Sequence, residues 1–481
     1  MFTQKPEITN TSQTINYARG NATLNPESTW SPKSTDSLMA QEKAIRVSDS
    51  AKHSSYDTYF ETIQSRKKLA PALQETLTDA FAKIPVSSFP GVPGGKVVEI
   101  PANTLIGDAV RILSDCNILS APVRDLDAGT SSDWRDRYLG IIDYSAIIMW
   151  VMESAEVAAA ALSAGTAAAA GVGAGAVGAL GAIAMGITGP AAVAGLTAAA
   201  VGAAVAGGVV ADKGAGKDGP EAADNLGEDF YKVILQEEPF KSTMVRSILK
   251  SYRRTPFVPV SKDSSMLTVL LLLSKYRLRN VPVIEPGKPD LVNYVTQSAV
   301  VQGLEGCQGR DWFDCIAARP LSDLGLPFMS SDEVVSIERD ELILEAFKKM
   351  KDHKIGGLPV VEGQNKRIVG NVSIRDIRYL LLKPELFSNF RKLSVMDFMN
   401  AVSPKTRNIK KPITCNLDAL LGDVIHTLAS QRVHRIYAVC SEGEVTGVIT
   451  LRDVISCFIS EPPYHFDDYL GFAVEEMLSH Q

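Results

Sequence analysis

The sequence predicts an α+β fold in which one β-β-α unit occurs four times. Three observations carry that prediction. Residues 267–300, 342–377 and 420–454 share one layout: an apolar stretch of helical period, a short basic patch, a β-branched strand, a turn rich in Gly, Asp and Asn, and a second strand whose last polar residue opens a new helix. The spacing is regular, with Pro359 77 residues after Pro282, and Tyr437, at the equivalent position, 78 residues further on. A fourth copy lies upstream, in LIGDAVRILSDCNILSAPV (105–123) and YLGIIDYSAIIMW (138–150). Its Pro122 is 160 residues before Pro282, one period plus about 82 residues. A single unit of about 60 residues leaves one sheet face uncovered, so burial alone requires the units to pair.

In chain order, residues 1–65 form a tail rich in Ser, Thr, Asn, Gln and Pro, which cannot bury enough surface to offset its chain entropy. It has no apolar core of a secretory signal, and Glu7, Glu27, Asp36 and Glu42 argue against a transit peptide. Residues 66–95 hold a docking helix and linker. Leu73, Leu77, Phe81 and Ile84 give it an apolar face expected to pack on the first repeat. The first repeat is assigned to 96–153. An Ala/Gly insertion (154–228) accounts for the irregular gap. The second repeat spans 229–305, a linker with Trp312-Phe313 spans 306–330, and the third repeat spans 331–385. A second linker covers 386–408 and the fourth repeat 409–475. Trp312 and Phe313 are expected to be core residues. No charge occurs between Glu156 and Asp212, a length sufficient for two membrane spans. The run is almost all Ala and Gly, which offer little apolar surface to transfer, so a low-complexity insertion is the better reading and a membrane hairpin the alternative.

Composition excludes several functions. Lys and Arg total 49 against 55 Asp and Glu, giving a net charge of −6, so there is no basic excess to hold nucleic acid by bulk charge. The six cysteines show no CxxC spacing and fit a reducing compartment rather than a disulfide or thiolate-zinc scaffold. The chain contains no GxxxxGK[ST] loop, GxSxG elbow, HExxH pair or kinase motif set, so it is expected not to be an enzyme.

The repeated unit, with its Gly-x-x-[Ser/Thr]-x-x-Asp signature, resembles the cystathionine-β-synthase (CBS) repeat. Four copies in one chain resemble the gamma regulatory subunits of the AMP-activated, sucrose-non-fermenting-related protein kinases. FAKIPVSSFP (81–90), RYLGIIDYSAIIMW (137–150), LLLLSKYRLRNVPVI (270–284), LSDLGLPFMS (321–330) and HRIYAVCSEGEVTGVITLRDV (434–454) are similar to the plant members, over about residues 78–475. The resemblance implies two paired (Bateman) modules in a disk and no resident cofactor. It also implies a regulatory ligand among AMP, ADP and ATP, partnership with a catalytic alpha and a scaffolding beta subunit, and a cytoplasmic and nuclear location. Docking of the 66–95 helix on the beta subunit is its alternative role. A stand-alone CBS-repeat sensor acting on another enzyme or transporter is the rival function.

Two acids carry the candidate site. Ser373-x-x-Asp376 follows Gly370, and Thr450-x-x-Asp453 follows Gly447. Each pair would also serve as a helix N-cap. The first two repeats keep a capping residue, Asp143 and Thr296, but have Ala146 and Ala299 at the distal position, so capping does not require the acid. The resemblance assigns Asp376 and Asp453 to the vicinal hydroxyls of a ribose, with Ser373 and Thr450 beside them. It assigns Arg432, His434 and Arg435 to the phosphates of the ligand held by Asp376. Arg279 and Lys354 would serve the Asp453 site. His434 would act as a neutral donor or, near its titration range, as a charge. Arg375 and Arg452 precede the acids and would add phosphate affinity or tie up the carboxylates. Leu119 stands where a phosphate-binding Arg is expected, so no ribose-anchored ligand is predicted in the first pair. Ile355, Pro359, Val372 and Ile374, or Ile436 and Val448, are adenine-slot candidates, for most of which core packing is the simpler role.

Overall fold

Four three-stranded sheets repeat one topology in the computed structural model, which describes residues 58–150, 242–251, 257–403 and 411–466, apart from positions 130, 132, 148, 390, 391 and 464. The Ala/Gly insertion and residues 1–57 of the expected tail lie outside the described residues. The tail assignment to residue 65 is corrected at its end: Tyr59–Arg66 is a helix, α1, held because Phe60 and Ile63 are buried. A second helix, α2 (Pro71–Lys83), begins with Pro at its first position, where no amide donor is needed.

The first repeat consists of β1 (Ile100–Pro101), α3 (Ile106–Asp115), β2 (Ser120–Arg124) and β3 (Tyr138–Asp143). The second has β4 (Val260–Ser261), α4 (Met266–Ser274), β5 (Asn280–Ile284) and β6 (Leu291–Thr296), followed by α5 (Gln297–Glu305). The third has β7 (Ile337–Glu338), α6 (Ile343–Asp352), β8 (Gly357–Glu362) and β9 (Arg367–Ser373). After it come α7 (Ile377–Leu382) and a linker helix, α8 (Val395–Val402). The fourth has β10 (Thr414–Cys415), α9 (Leu421–Ser430), β11 (Arg435–Val439), β12 (Val445–Thr450) and α10 (Leu451–Cys457). Each unit thus gains an element the sequence did not reveal. A two-residue strand precedes its helix and runs parallel to the next strand. Two residues are too few to show a period.

The repeats agree in fine detail. Each antiparallel pair slips register at one equivalent place: Val123/Arg124, Val283/Ile284, Val360/Val361 and Ala438/Val439. Before each second strand one residue takes a left-handed conformation: Asn117, Arg277, Lys354 and Arg432. A single such residue ends the helix and turns the chain into the strand. These four are therefore structural equivalents, and Arg279 matches Gly356 and His434, not Lys354.

Packing joins the repeats in two ways. Sheet faces join the first repeat to the second, where Tyr138 stacks on Phe257 at 4.8 Å beside Ile141 and Leu291. They likewise join the third to the fourth, through Val334, Val361 and Val445. Helices make the other connections. One core combines the first and third repeats, with α7 against α3. The other combines the second and fourth, with α5 on α9 and α4 on α10. All nine residues of α4 are buried, as expected for a helix apolar on every side. Leu77 of α2 is buried and Leu73 and Phe81 pack beside it, but against α4 of the second repeat. This corrects the expectation that the helix rests on the first. Ile84 is 40 % exposed. Phe313 is buried, and Trp312 meets Phe81, Phe313 and Phe458 edge-on, a core role as expected. Among the described residues no helix is long and apolar enough to cross a membrane.

Candidate functional site

Strand β9 ends at Ser373, and a single 3₁₀ turn, Ile374–Asp376, leads into α7. Asp376 folds back as a cap: its Oδ2 accepts from the Ser373 amide at 2.8 Å and hydroxyl at 3.1 Å. Asp453 does the same, with Oδ2 accepting from the Thr450 amide at 2.8 Å and hydroxyl at 2.7 Å. In the first two repeats Asp143 accepts from the Ala146 amide at 2.8 Å and Thr296 from Ala299 at 3.1 Å. The helix starts are thus closed with or without the distal acid. Where the acid is present, one oxygen caps the helix, and none of the described hydrogen bonds uses the other, Oδ1.

Both acids line one cavity but differ in burial. Asp376 is half-buried and lines a cavity of about 3020 Å³ together with Ser373, Arg375, Arg378, His434 and Arg435. Burial raises its pKa, opposed by the Ser373 donors and by the nearby Arg378 and Arg435 guanidinium groups. Asp453 is 1 % exposed. The groups against it are Thr450, Arg452 and Tyr59 of α1.

Arg435 is held over the backbone of the third repeat. Its Nη1 donates to Asn371 Oδ1 at 3.4 Å, an acceptor shared with the buried Tyr437 hydroxyl at 2.6 Å. Gly356 and Gly357 make room for it. A Cβ on Gly357 would lie 1.7 Å from Arg435 Nη1 and 2.8 Å from the Val372 carbonyl oxygen, and one on Gly356 3.0 Å from Nη2. Neither glycine was legible as a site residue, because its contribution is the absence of a side chain opposite a distant arginine. Gly357→Ala is expected to displace the Arg435 guanidinium and weaken binding of a phosphate ligand about tenfold, the lower end for loss of one charge-assisted contact. Isothermal titration with ADP, beside a thermal melt showing a folded chain, checks it.

Arg375 does not grip the neighbouring carboxylate. Its Nη2 donates to Asn117 Oδ1 of the first repeat at 2.8 Å, and Arg378 Nη1 reaches the same oxygen at 3.3 Å. Arg452 donates from Nε to the Ser274 carbonyl at 2.7 Å. Arg432 and Lys354 line the cavity from exposed left-handed positions. Arg279 lies 3.5 Å from Asp143 Oδ2, across the first sheet interface, and close enough to His434 to affect its charge. Arg279, Lys354 and Asp453 all line this one cavity. Of the adenine-slot candidates, Ile355, Pro359, Ile374 and Val448 line the cavity, whereas Val372 and Ile436 are core residues.

Burial, and then Arg435, Arg375 and Arg279, lower the pKa of His434 to about 3. At this depression the imidazole is neutral near pH 7 in the free chain. The shift has a consequence for stability. Below pH 6.5 the unfolded chain takes up a proton that folded His434 refuses, so stability is lost as pH falls from 6.5 toward 3. By pH 5 this amounts to about 2 kcal/mol. Urea unfolding at pH 7 and pH 5 is expected to show that much more loss in wild type than in His434→Asn.

The profile of the CBS domain matches residues 246–306, 322–383 and 407–460. Over 430 residues the chain is 68 % identical to the SNF1-related protein kinase regulatory subunit gamma-1-like of Arabidopsis thaliana, covering 89 % of this chain and 96 % of that one. The regulatory subunit gamma-1 of the same plant is 33 % identical over 414 residues, covering 84 % and 88 %. Among solved structures, a putative archaeal homologue of gamma-AMPK from Methanocaldococcus jannaschii aligns with 76 % of this chain and 97 % of its own, at 14 % identity and a TM-score of 0.46.

Proposed function

Because this chain belongs to the gamma regulatory subunits of the SNF1-related protein kinases, we propose that it regulates its kinase without catalysis of its own, by binding an adenine nucleotide at Asp376. The observation that carries the nucleotide assignment is the division of labour within that carboxylate. Oδ2 is used as a helix cap, while the half-buried carboxylate lines a cavity with Arg435, Arg375 and Arg378. Oδ1 would accept from a ribose hydroxyl. Arg435 and Arg432 supply positive charge for phosphates, with geometry suited to bidentate contacts, and neutral His434 supplies a hydrogen bond. Ile355, Pro359 and Ile374 would flank the base.

Asp376 belongs to the third repeat and His434 and Arg435 to the fourth, so a bound nucleotide bridges the two. It regulates only to the extent that it binds two arrangements of that pair unequally. The partners are a catalytic alpha subunit and a scaffolding beta subunit. Isothermal titration with AMP, ADP and ATP tests the ligand, and absence of saturable heat with all three would end that assignment. Co-expression with the alpha and beta subunits tests the assembly. Recovery of the chain alone would favour a free-standing sensor instead.

A further inference from the structure

The Asp453 site is filled from within the chain. Helix α1 lies against α10, and Tyr59 at its start faces both members of the Arg452-Asp453 pair. The Arg452 guanidinium sits 5.3 Å above the Tyr59 ring, a cation–π distance. The Tyr59 phenol is close enough to lower the Asp453 pKa against the effect of burial. Asp453 Oδ1 itself is buried, and no full hydrogen bond to it is made among the described residues. A buried carboxylate oxygen left in that state retains an unmet demand for a donor.

The helix is fixed at its other end. Arg66 makes a forked contact with Glu333 at 2.6 and 3.0 Å and also donates to the Phe328 carbonyl. Lys67 donates to the carbonyls of Ser456 and Ile459, at 3.2 and 2.7 Å, just beyond Asp453. The Lys68 amide donates to the Leu324 carbonyl at 3.1 Å. Gly325 allows this approach, since a Cβ there would lie 2.2 Å from the Arg66 carbonyl oxygen. Phe60 and Ile63 join the core of the second and fourth repeats. Asp376 lines the same cavity but is only half-buried.

We propose that Tyr59 is the resident occupant of the Asp453 site, so that α1 and a ribose-bearing ligand exclude one another there. The inference rests on the reading of the acid as a ribose carboxylate. The chain then offers one open nucleotide carboxylate, Asp376, and one latent one, Asp453. Removing the phenol exposes an acceptor that already lacks a donor. By linkage, any nucleotide that entered would loosen α1, and any partner that drew α1 away would open the site to the same degree.

Equilibrium dialysis of the full chain against saturating labelled AMP tests this by counting bound equivalents. Wild type is expected to bind one, Tyr59→Ala two, and Tyr59→Ala/Asp453→Asn one again. Tyr59→Phe, which keeps the ring in place, is expected to remain at one, as is Asp453→Asn in the wild-type background. A Tyr59→Ala count equal to wild type overturns the proposal. So does a wild-type count that falls on Asp453→Asn, a result that does not depend on Tyr59→Ala folding. Asp376→Ala separates the two readings. If it leaves the wild-type count intact, the Asp376 assignment fails, while a gain of one equivalent from Asp376→Ala to Tyr59→Ala/Asp376→Ala still decides the Asp453 question.

Discussion

Asp376→Asn is expected to weaken nucleotide binding by about ten- to a hundredfold while leaving α7 folded. The two carboxylate oxygens have separate roles. An asparagine retains one carbonyl oxygen, enough to accept from the Ser373 amide as Oδ2 does at 2.8 Å. Its amide nitrogen cannot accept from a ribose hydroxyl and carries no charge. Loss of a charge-assisted hydrogen bond costs about 1.5–3 kcal/mol, which is a factor of about ten to a hundred in Kd. Asp376→Ala should lose both functions, adding about 1 kcal/mol of lost stability for the missing cap. Calorimetry with ADP, together with urea unfolding of both variants, distinguishes these outcomes. An Asn variant that binds as well as wild type would show that the carboxylate serves the helix alone.

Gly447→Ala is expected to destabilise the chain by about 2–3 kcal/mol, at the upper end of overpacking costs. Gly447 lies in β12, and the segment before the third repeat crosses directly over it. A Cβ would be 2.1 Å from Pro327 Cγ and 2.7 Å from Pro327 Cβ, with the Met329 carbonyl oxygen at 3.3 Å. A proline ring cannot rotate aside, so the linker itself must move. Gly370, the equivalent residue in the third repeat, provides the control. A Cβ there meets the Met399 Cε at 2.3 Å and Sδ at 3.0 Å, the far end of an adaptable side chain. Gly370→Ala should therefore cost about 1 kcal/mol or less. Urea midpoints for the two variants test the contrast. Equal losses would mean that the strand glycines matter for backbone freedom and not for what packs on them.

These glycines show what kind of information a sequence carries. Gly370 and Gly447 are visible as the first residue of a signature, but the signature does not state that Met399 presses on one and Pro327 on the other. The Ser373–Asp376 and Thr450–Asp453 pairs were legible as caps and as candidate clasps because both roles depend on local spacing. Comparison with Ala146 and Ala299 in the other repeats correctly indicated that the helices do not need the acid. Arg435 was legible as a basic residue, whereas the space vacated by Gly356 and Gly357 was not. The pairing of Arg279 with Asp143 was not legible, because that partner is in a different repeat.

By itself the sequence determined the repeated unit, its fourfold occurrence, the caps, and which two repeats hold an acid three residues after the cap. All of these follow from interactions between residues a few positions apart, where spacing along the chain is also spacing in space. Only the tertiary structure decided which helices meet, namely the first repeat with the third and the second with the fourth. It alone decided that α2 rests on α4, and that of two acids lining one cavity Asp376 is half-buried while Asp453 is fully buried beside Tyr59. Apolar burial is non-directional and proportional to area, so amphipathic faces of similar composition leave their pairing open. The choice among partners is made by shape and close packing across hundreds of residues, which no local pattern records.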